Sequence, residues 1–123
     1  MVLYLEFILH LFYKELNTQE IDLSILISFI DYLWSNYKVA IFQSENQLLQ
    51  ELEQLKLANI VDIVDNDGKK IIKIKKPDLI GKMGSIAKST YIYKMDALYR
   101  ETIERIEKAF KNFIYDSELC ISN

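Results

Sequence analysis

The stretch "NIVDIVDNDGKKIIKIKKP", Asn59 to Pro77, leaves the chain the least freedom. Asp67-Gly68 is a favoured pair for a two-residue hairpin turn, because both central positions need positive φ. Counting outward from that turn sets Asp65 against Lys70, Ile63 against Ile72, Asp62 against Lys73 and Val61 against Ile74. Apolar residues then meet apolar residues and each acid meets a lysine. A slip of one residue would turn every side chain to the wrong face, so the pattern selects a single register. Pro77, which has no amide hydrogen to donate, closes the second strand.

The hairpin also marks a change of charge. The chain is acidic, with 18 Asp+Glu against 15 Lys+Arg. Residues 1–68 hold three lysines and eleven acids, a net charge of −8, and residues 95–123 are net −2. Between them, residues 69–94 carry eight lysines and one acid, Asp78, a net charge of +7. Positive charge gathered on one side of an acidic molecule points to an anionic partner, of which nucleic acid is the commonest. The plainer reading is a solvated strand edge whose lysines discourage edge-to-edge aggregation.

Helical periodicity governs most of the rest. Val2 to Leu16 is expected to form a helix whose polar stripe is almost confined to Glu6, His10 and Lys14. So much apolar circumference must be covered from several sides, part of it by another chain. A second helix is expected from Ile21 to Asn36, with Ser24, Ser28, Asp31 and Ser35 as its polar line. "SENQLLQELEQLKLANIV" follows, in which Ser44 and Gln47 form an S-x-x-Q capping box and Leu48, Leu52 and Leu55 mark a buried face. After the hairpin, "DLIGKMGSIAKST" reads as a loosely folded insert containing Gly81 and Gly84, and "YIYKM" as a third short strand. From Asp96 a long helix places Tyr99, Ile103, Ile106, Phe110 and Phe113 at 4-3-4-3 spacing, the seam of a paired helix. Glu101–Arg105, Glu104–Lys108 and Glu107–Lys111 add i, i+4 pairs on its outside.

At 123 residues, half of them hydrophobic, the chain is expected to be one mainly α domain with a small β-hairpin (α+β). Its parts are an N-terminal helix over 1–16, a helix-turn-helix and hairpin over 21–76, and a C-terminal helix over 96–115. The apolar N-terminus lacks a preceding basic residue and a small-residue cleavage site, and is too short to span a bilayer. The lone Cys120 has no disulfide partner within the chain. A soluble cytoplasmic protein without membrane association is therefore expected. High Ile, Lys, Tyr and Glu with few Gly, Pro and Cys resembles the composition of thermophile proteins from AT-rich genomes.

Chemistry has little to build on. One His and one Cys, far apart, give neither a nucleophile–base pair nor a metal set, so no catalytic residue, metal or cofactor is expected. His10 reads as a structural histidine. "GKMGS" lacks the spacing of a phosphate loop.

The order helix, helix, capped helix, charged hairpin, C-terminal helix resembles a winged helix-turn-helix. "LLQELEQLKLANIVDIV" resembles the recognition helix and first wing strand of prokaryotic regulators. "STYIYKMDALYRETIERIEKAF" is similar to the segment that follows the wing in PadR-like and TrmB-like archaeal and bacterial regulators. The resemblance spans Ile21 to Phe113. It implies a transcriptional regulator that occupies promoter DNA through its third helix and wing, as a dimer held by the last helix.

On that reading the hairpin register leaves Lys69, Lys75, Lys76, Lys82 and Lys88 as the lysines for phosphate, with Lys94 near the last helix. Turning the leucines of the third helix inward turns Asn46, Gln50, Glu53 and Gln54 outward, with Gln47 beside them. Asn and Gln can read adenine edges with two hydrogen bonds. The dimer interface is assigned to Tyr99, Ile103, Ile106, Phe110 and Phe113. Glu45, Glu51 and Glu53 depart from the pattern, because they outnumber Lys56 on the third helix. The two arginines, Arg100 and Arg105, both lie on the last helix, so the commonest guanine contact is missing from helix and wing. Double-stranded DNA, bound in a salt-sensitive manner, is the expected partner. The alternative is a winged-helix interaction module, without direct DNA binding, whose acidic third helix meets a basic protein.

Overall fold

A computed structural model of the chain describes residues 3–117; Cys120 lies outside them. Helix α1 (Tyr4–Leu16) ends at Asn17, which adopts the left-handed conformation and turns the chain into a short strand, β1 (Glu20–Asp22). Asp22 then caps α2 (Leu23–Tyr37), its Oδ1 accepting from the Ser24 amide at 2.9 Å. Helix α3 (Glu45–Leu57) begins at the expected Ser44 cap, but Gln47 reaches back to the amide of Gln43 rather than to that of Ser44. Ser44 Oγ accepts from Gln47 N at 3.2 Å, and Gln47 Oε1 accepts from Gln43 N at 2.6 Å. Strands β2 (Val61–Asn66) and β3 (Lys69–Ile74) follow, then α4 (Pro77–Ser89), α5 (Tyr91–Met95) and α6 (Ala97–Ser117). The chain is thus mainly helical, with a small three-stranded antiparallel sheet.

The hairpin adopts the register that the sequence dictates: Val61 opposite Ile74, Asp62 opposite Lys73, Ile63 opposite Ile72 and Asp65 opposite Lys70. Asp67 and Gly68 both have positive φ, 53° and 82°. The third strand is not where it was expected. "YIYKM" is helical (α5), and the free edge of β3 is covered instead by β1, giving the order β1-β3-β2. Gln19 locks that junction, donating from Nε2 to Ile74 O at 3.0 Å while its own carbonyl accepts from Ile74 N at 2.8 Å. As the central strand, β3 sets Lys73 between Asp62 on one side and Glu20 on the other.

The segment expected to be loosely folded is a thirteen-residue helix, α4, started by Pro77 in its first turn. It packs against α1, α5 and α6. Gly84 brings α4 close to α1: a Cβ there would lie 2.5 Å from His10 Cδ2 and 2.9 Å from His10 Cβ. The excess apolar surface of α1 is answered here. Leu5, Phe7, Ile8, Leu9, Leu11 and Phe12 are buried within one chain, with α4 and α6 supplying much of the cover.

The expected dimer seam meets the same correction. Tyr99, Ile103, Ile106, Phe110 and Phe113 are 3, 0, 0, 1 and 9% exposed, because α6 lays that face on α1 and α2 of its own chain. Phe110 packs edge-on against Phe12 and Phe29, with ring centroids 4.9 and 5.4 Å apart, and Phe113 lies 5.2 Å from Phe29. Tyr99 stacks on Tyr4 at 5.5 Å and donates its hydroxyl to Ala87 O at 3.0 Å. A second copy has to use a different surface. Among the described residues, no helix is long and apolar enough to cross a membrane.

Candidate nucleic-acid interface

The capped start of α3 and the turn at its end hold this helix beside the hairpin. Leu48, Leu52 and Leu55 are buried beneath it. Asn59, with a positive φ of 62°, reverses the chain into β2, and its Oδ1 accepts from Lys75 Nζ at 2.6 Å. That bond ties the foot of the hairpin to the end of α3. Lys75 N also donates to Ile60 O at 2.9 Å. These bonds, with the contact of α3 on β2, hold helix and hairpin side by side.

Asn46, Gln50, Glu53 and Gln54 are exposed on α3, as the leucine phase predicts. Gln47 is not free with them. It is half-buried, and its carboxamide oxygen is engaged by the Gln43 amide at 2.6 Å. Of the acids that count against an anionic partner, Glu51 is half-buried. Burial raises its pKa, and the nearby Glu6 carboxylate raises it further. Glu6 itself is raised by burial on the opposing α1. The outward acids of α3 are thus reduced to Glu45 and Glu53.

The lysines that are clustered in sequence separate in space. Lys69 is exposed at the hairpin turn, beside Gly68, and Lys75 and Lys76 are exposed at the hairpin's foot. Lys82 and Lys88 lie on α4, whose neighbours are α1, α5 and α6 rather than α3 or the hairpin. Lys88 also pairs with Glu107 of α6 at 3.2 Å. These two belong to another face. Glu107 thereby reaches across to α4 as well as standing i, i+4 from Lys111.

Sequence reasoning passed over two lysines that the fold brings into this region. Lys56 and Lys70 line a groove between α3 and the hairpin, with Glu53 and Asp65 beside them and Leu49, Leu52 and Ile72 as its floor. The pairing of Lys70 with Asp65 set it aside as neutralised, yet Asp65 Oδ1 accepts from Gly68 N at 3.2 Å and helps to fix the turn. The inward phase of Ile72, two residues on, was the available signal that Lys70 faces α3.

His10 occupies a different cleft, with Lys14, Lys88 and Glu107 around it. Its Nδ1 is buried without a hydrogen-bond partner, and burial, followed by the Lys14 charge, lowers its pKa. Among the described residues, no group of His, Cys, Asp and Glu is arranged to hold a metal. No family model matches this chain, and neither a curated protein nor a solved structure does.

Proposed function

We propose that this chain is a winged helix-turn-helix protein that binds double-stranded DNA and regulates transcription from the cytoplasm. The observation that carries the reading is the placement of a capped, polar-faced α3 beside a lysine-bearing hairpin, joined through Asn59 and Lys75. The element order also supports it: helix, strand, helix, helix, then a hairpin whose second strand pairs with the first strand. On this reading Lys69, Lys75 and Lys76 meet phosphates, joined by Lys70 and Lys56 in the groove between hairpin and helix. Asn46, Gln50 and Gln54 approach base edges, where a carboxamide can accept from and donate to adenine. Glu53 faces the same way and opposes phosphate, so affinity is salt-sensitive.

Two copies would act together. The surface that supports such an assembly is the corner of α5 and α6, where Tyr91, Met95 and Leu98 are 75, 66 and 74% exposed. The corner is held firm by Arg100, which donates to Tyr93 O and Lys94 O at 3.2 and 3.1 Å. Half-buried Tyr4 and Ile92 lie alongside and widen the apolar patch.

A second reading, a module that binds a basic protein, draws on Glu45 and Glu53 and on the lack of arginine in α3 and the hairpin. A salt titration of binding to random and genomic duplex DNA separates the two. Changing Lys69, Lys75 and Lys76 together to Gln should weaken binding on every sequence and flatten the log K against log salt slope by about two to three units. Binding absent even at low salt would favour the interaction module.

A further inference from the structure

A cleft of about 560 Å³ opens between α2 and the start of α3, away from the hairpin. That volume lies within the range of roughly 300–1,000 Å³ typical of small-molecule sites. Its floor is one face of α2, where Ile27, Ile30 and Trp34 fall at i, i+3 and i+7; the connector into α3 adds Ile41 and Phe42 as a wall. The isoleucines and Phe42 are half-buried, and Trp34 is 54% exposed.

The charged residues that line this cleft are both carboxylates, Asp31 and Glu45. The Trp34 face accepts a cation, and a ligand would have to displace the one that occupies it, the Lys38 ammonium, with Nζ 5.4 Å from the ring centroid. The start of α3 would by itself attract an anion. Here two of the amides nearby, Gln43 N and Gln47 N, are taken by Gln47 Oε1 and Ser44 Oγ, and Glu45 occupies the first turn. The floor runs from Ile27 to Trp34, about 10 Å at the helical rise, which is short for seating a partner helix.

We propose that this cleft binds a small apolar organic cation, an arylalkyl ammonium in chemical class. Its aromatic body lies between the Ile27–Trp34 face and Phe42, and its ammonium group faces Asp31 and Glu45. The Trp34 ring adds a cation–π contact in which the ligand's ammonium replaces that of Lys38. The site is independent of the DNA reading, and its test uses no DNA.

Trp34 is the chain's sole tryptophan, so its emission reports occupancy directly. The full chain is titrated with three probes of one skeleton: 3-phenylpropylammonium, 3-phenylpropanol and 3-phenylpropionate. The ammonium should give a saturable change, with the alcohol at least about tenfold weaker and the carboxylate weaker again. Asp31→Asn should weaken the ammonium by about three- to tenfold. Lys38→Gln, which removes the competing cation and one positive charge, should tighten it. Circular dichroism checks that both variants fold; should either fail, the three probes on the unaltered chain decide alone. An equal response to all three probes, a preference for the carboxylate, or no saturable response to the ammonium would overturn the proposal.

Discussion

Gly84→Ala tests the packing of α4 on α1, which approach each other closely at His10. In an open helix this change stabilises by about 1 kcal/mol, because alanine is the better helix former. Here the new methyl would stand 2.5, 2.6 and 2.9 Å from His10 Cδ2, Cγ and Cβ. Carbon atoms prefer about 3.5–4.0 Å, so roughly 1 Å of separation has to be found. His10 cannot supply it by rotating, since its Cβ is fixed to the α1 backbone. The helices must part instead, loosening buried Phe7, Leu11, Ile80 and Ala87. Overpacking of this kind costs about 1–3 kcal/mol and exceeds the propensity gain. Gly81, one turn earlier on the same helix, is the internal control. A Cβ there would meet His10 Cε1 at 3.9 Å, an ordinary contact, so Gly81→Ala should stabilise by about 0.5–1 kcal/mol. Urea unfolding followed by far-ultraviolet circular dichroism measures both. His10→Ala combined with Gly84→Ala should cost less than the sum of the two alone. If Gly84→Ala matches Gly81→Ala in sign and size, the close approach at His10 is not present in solution.

Ile106→Glu should unfold the chain at every protein concentration, costing several kcal/mol, because the residue is fully buried by its own chain; a folded monomer by circular dichroism would contradict this. Leu98→Lys with Tyr91→Ser should lower the mass seen by light scattering to that of one chain and leave the unfolding midpoint nearly unchanged, whereas a wild-type chain that is already monomeric at micromolar concentration removes the corner from the assembly. Glu6 is raised above its ordinary 4.5 by burial, so its contribution to stability is present below pH 4.5 and lost as pH rises through the folded value. Glu6→Gln should therefore be more stable than wild type at pH 7, with the gap closing in acid denaturation series below pH 4.5. His10 has the opposite sign: burial, then Lys14, holds it below 6.5, so stability is full above pH 6.5 and declines as pH falls through the folded value. His10→Gln should flatten that part of the stability curve.

What the sequence determined was local. Asp67-Gly68 and the alternation around it settle turn type, register and facing, because each strand's partner lies a few residues away and a slip would invert every side chain. Ser44 and Gln47 start α3 for the same reason: a helix end needs its free amides satisfied by near neighbours. The outward face of α3 follows from the phase of its leucines. Tertiary structure decided the rest. Tyr91 to Met95 carry strand-favouring residues, yet Thr90 Oγ1 accepts from Tyr93 N at 3.2 Å and Tyr93 packs on Tyr99, so the segment turns helical; strand preference depends on finding a partner edge. The edge of β3 went instead to Glu20–Asp22, three residues too short to display a period. Gly81 and Gly84 read as looseness, whereas Gly84 allows α1 and α4 to approach closely. The 4-3-4-3 spacing of α6 correctly announced a covered face but could not say whether this chain or a second copy would cover it. Periodicity records that a surface leaves water. Which surface it meets depends on contacts between residues far apart in the chain, and these exist only once the whole core has assembled.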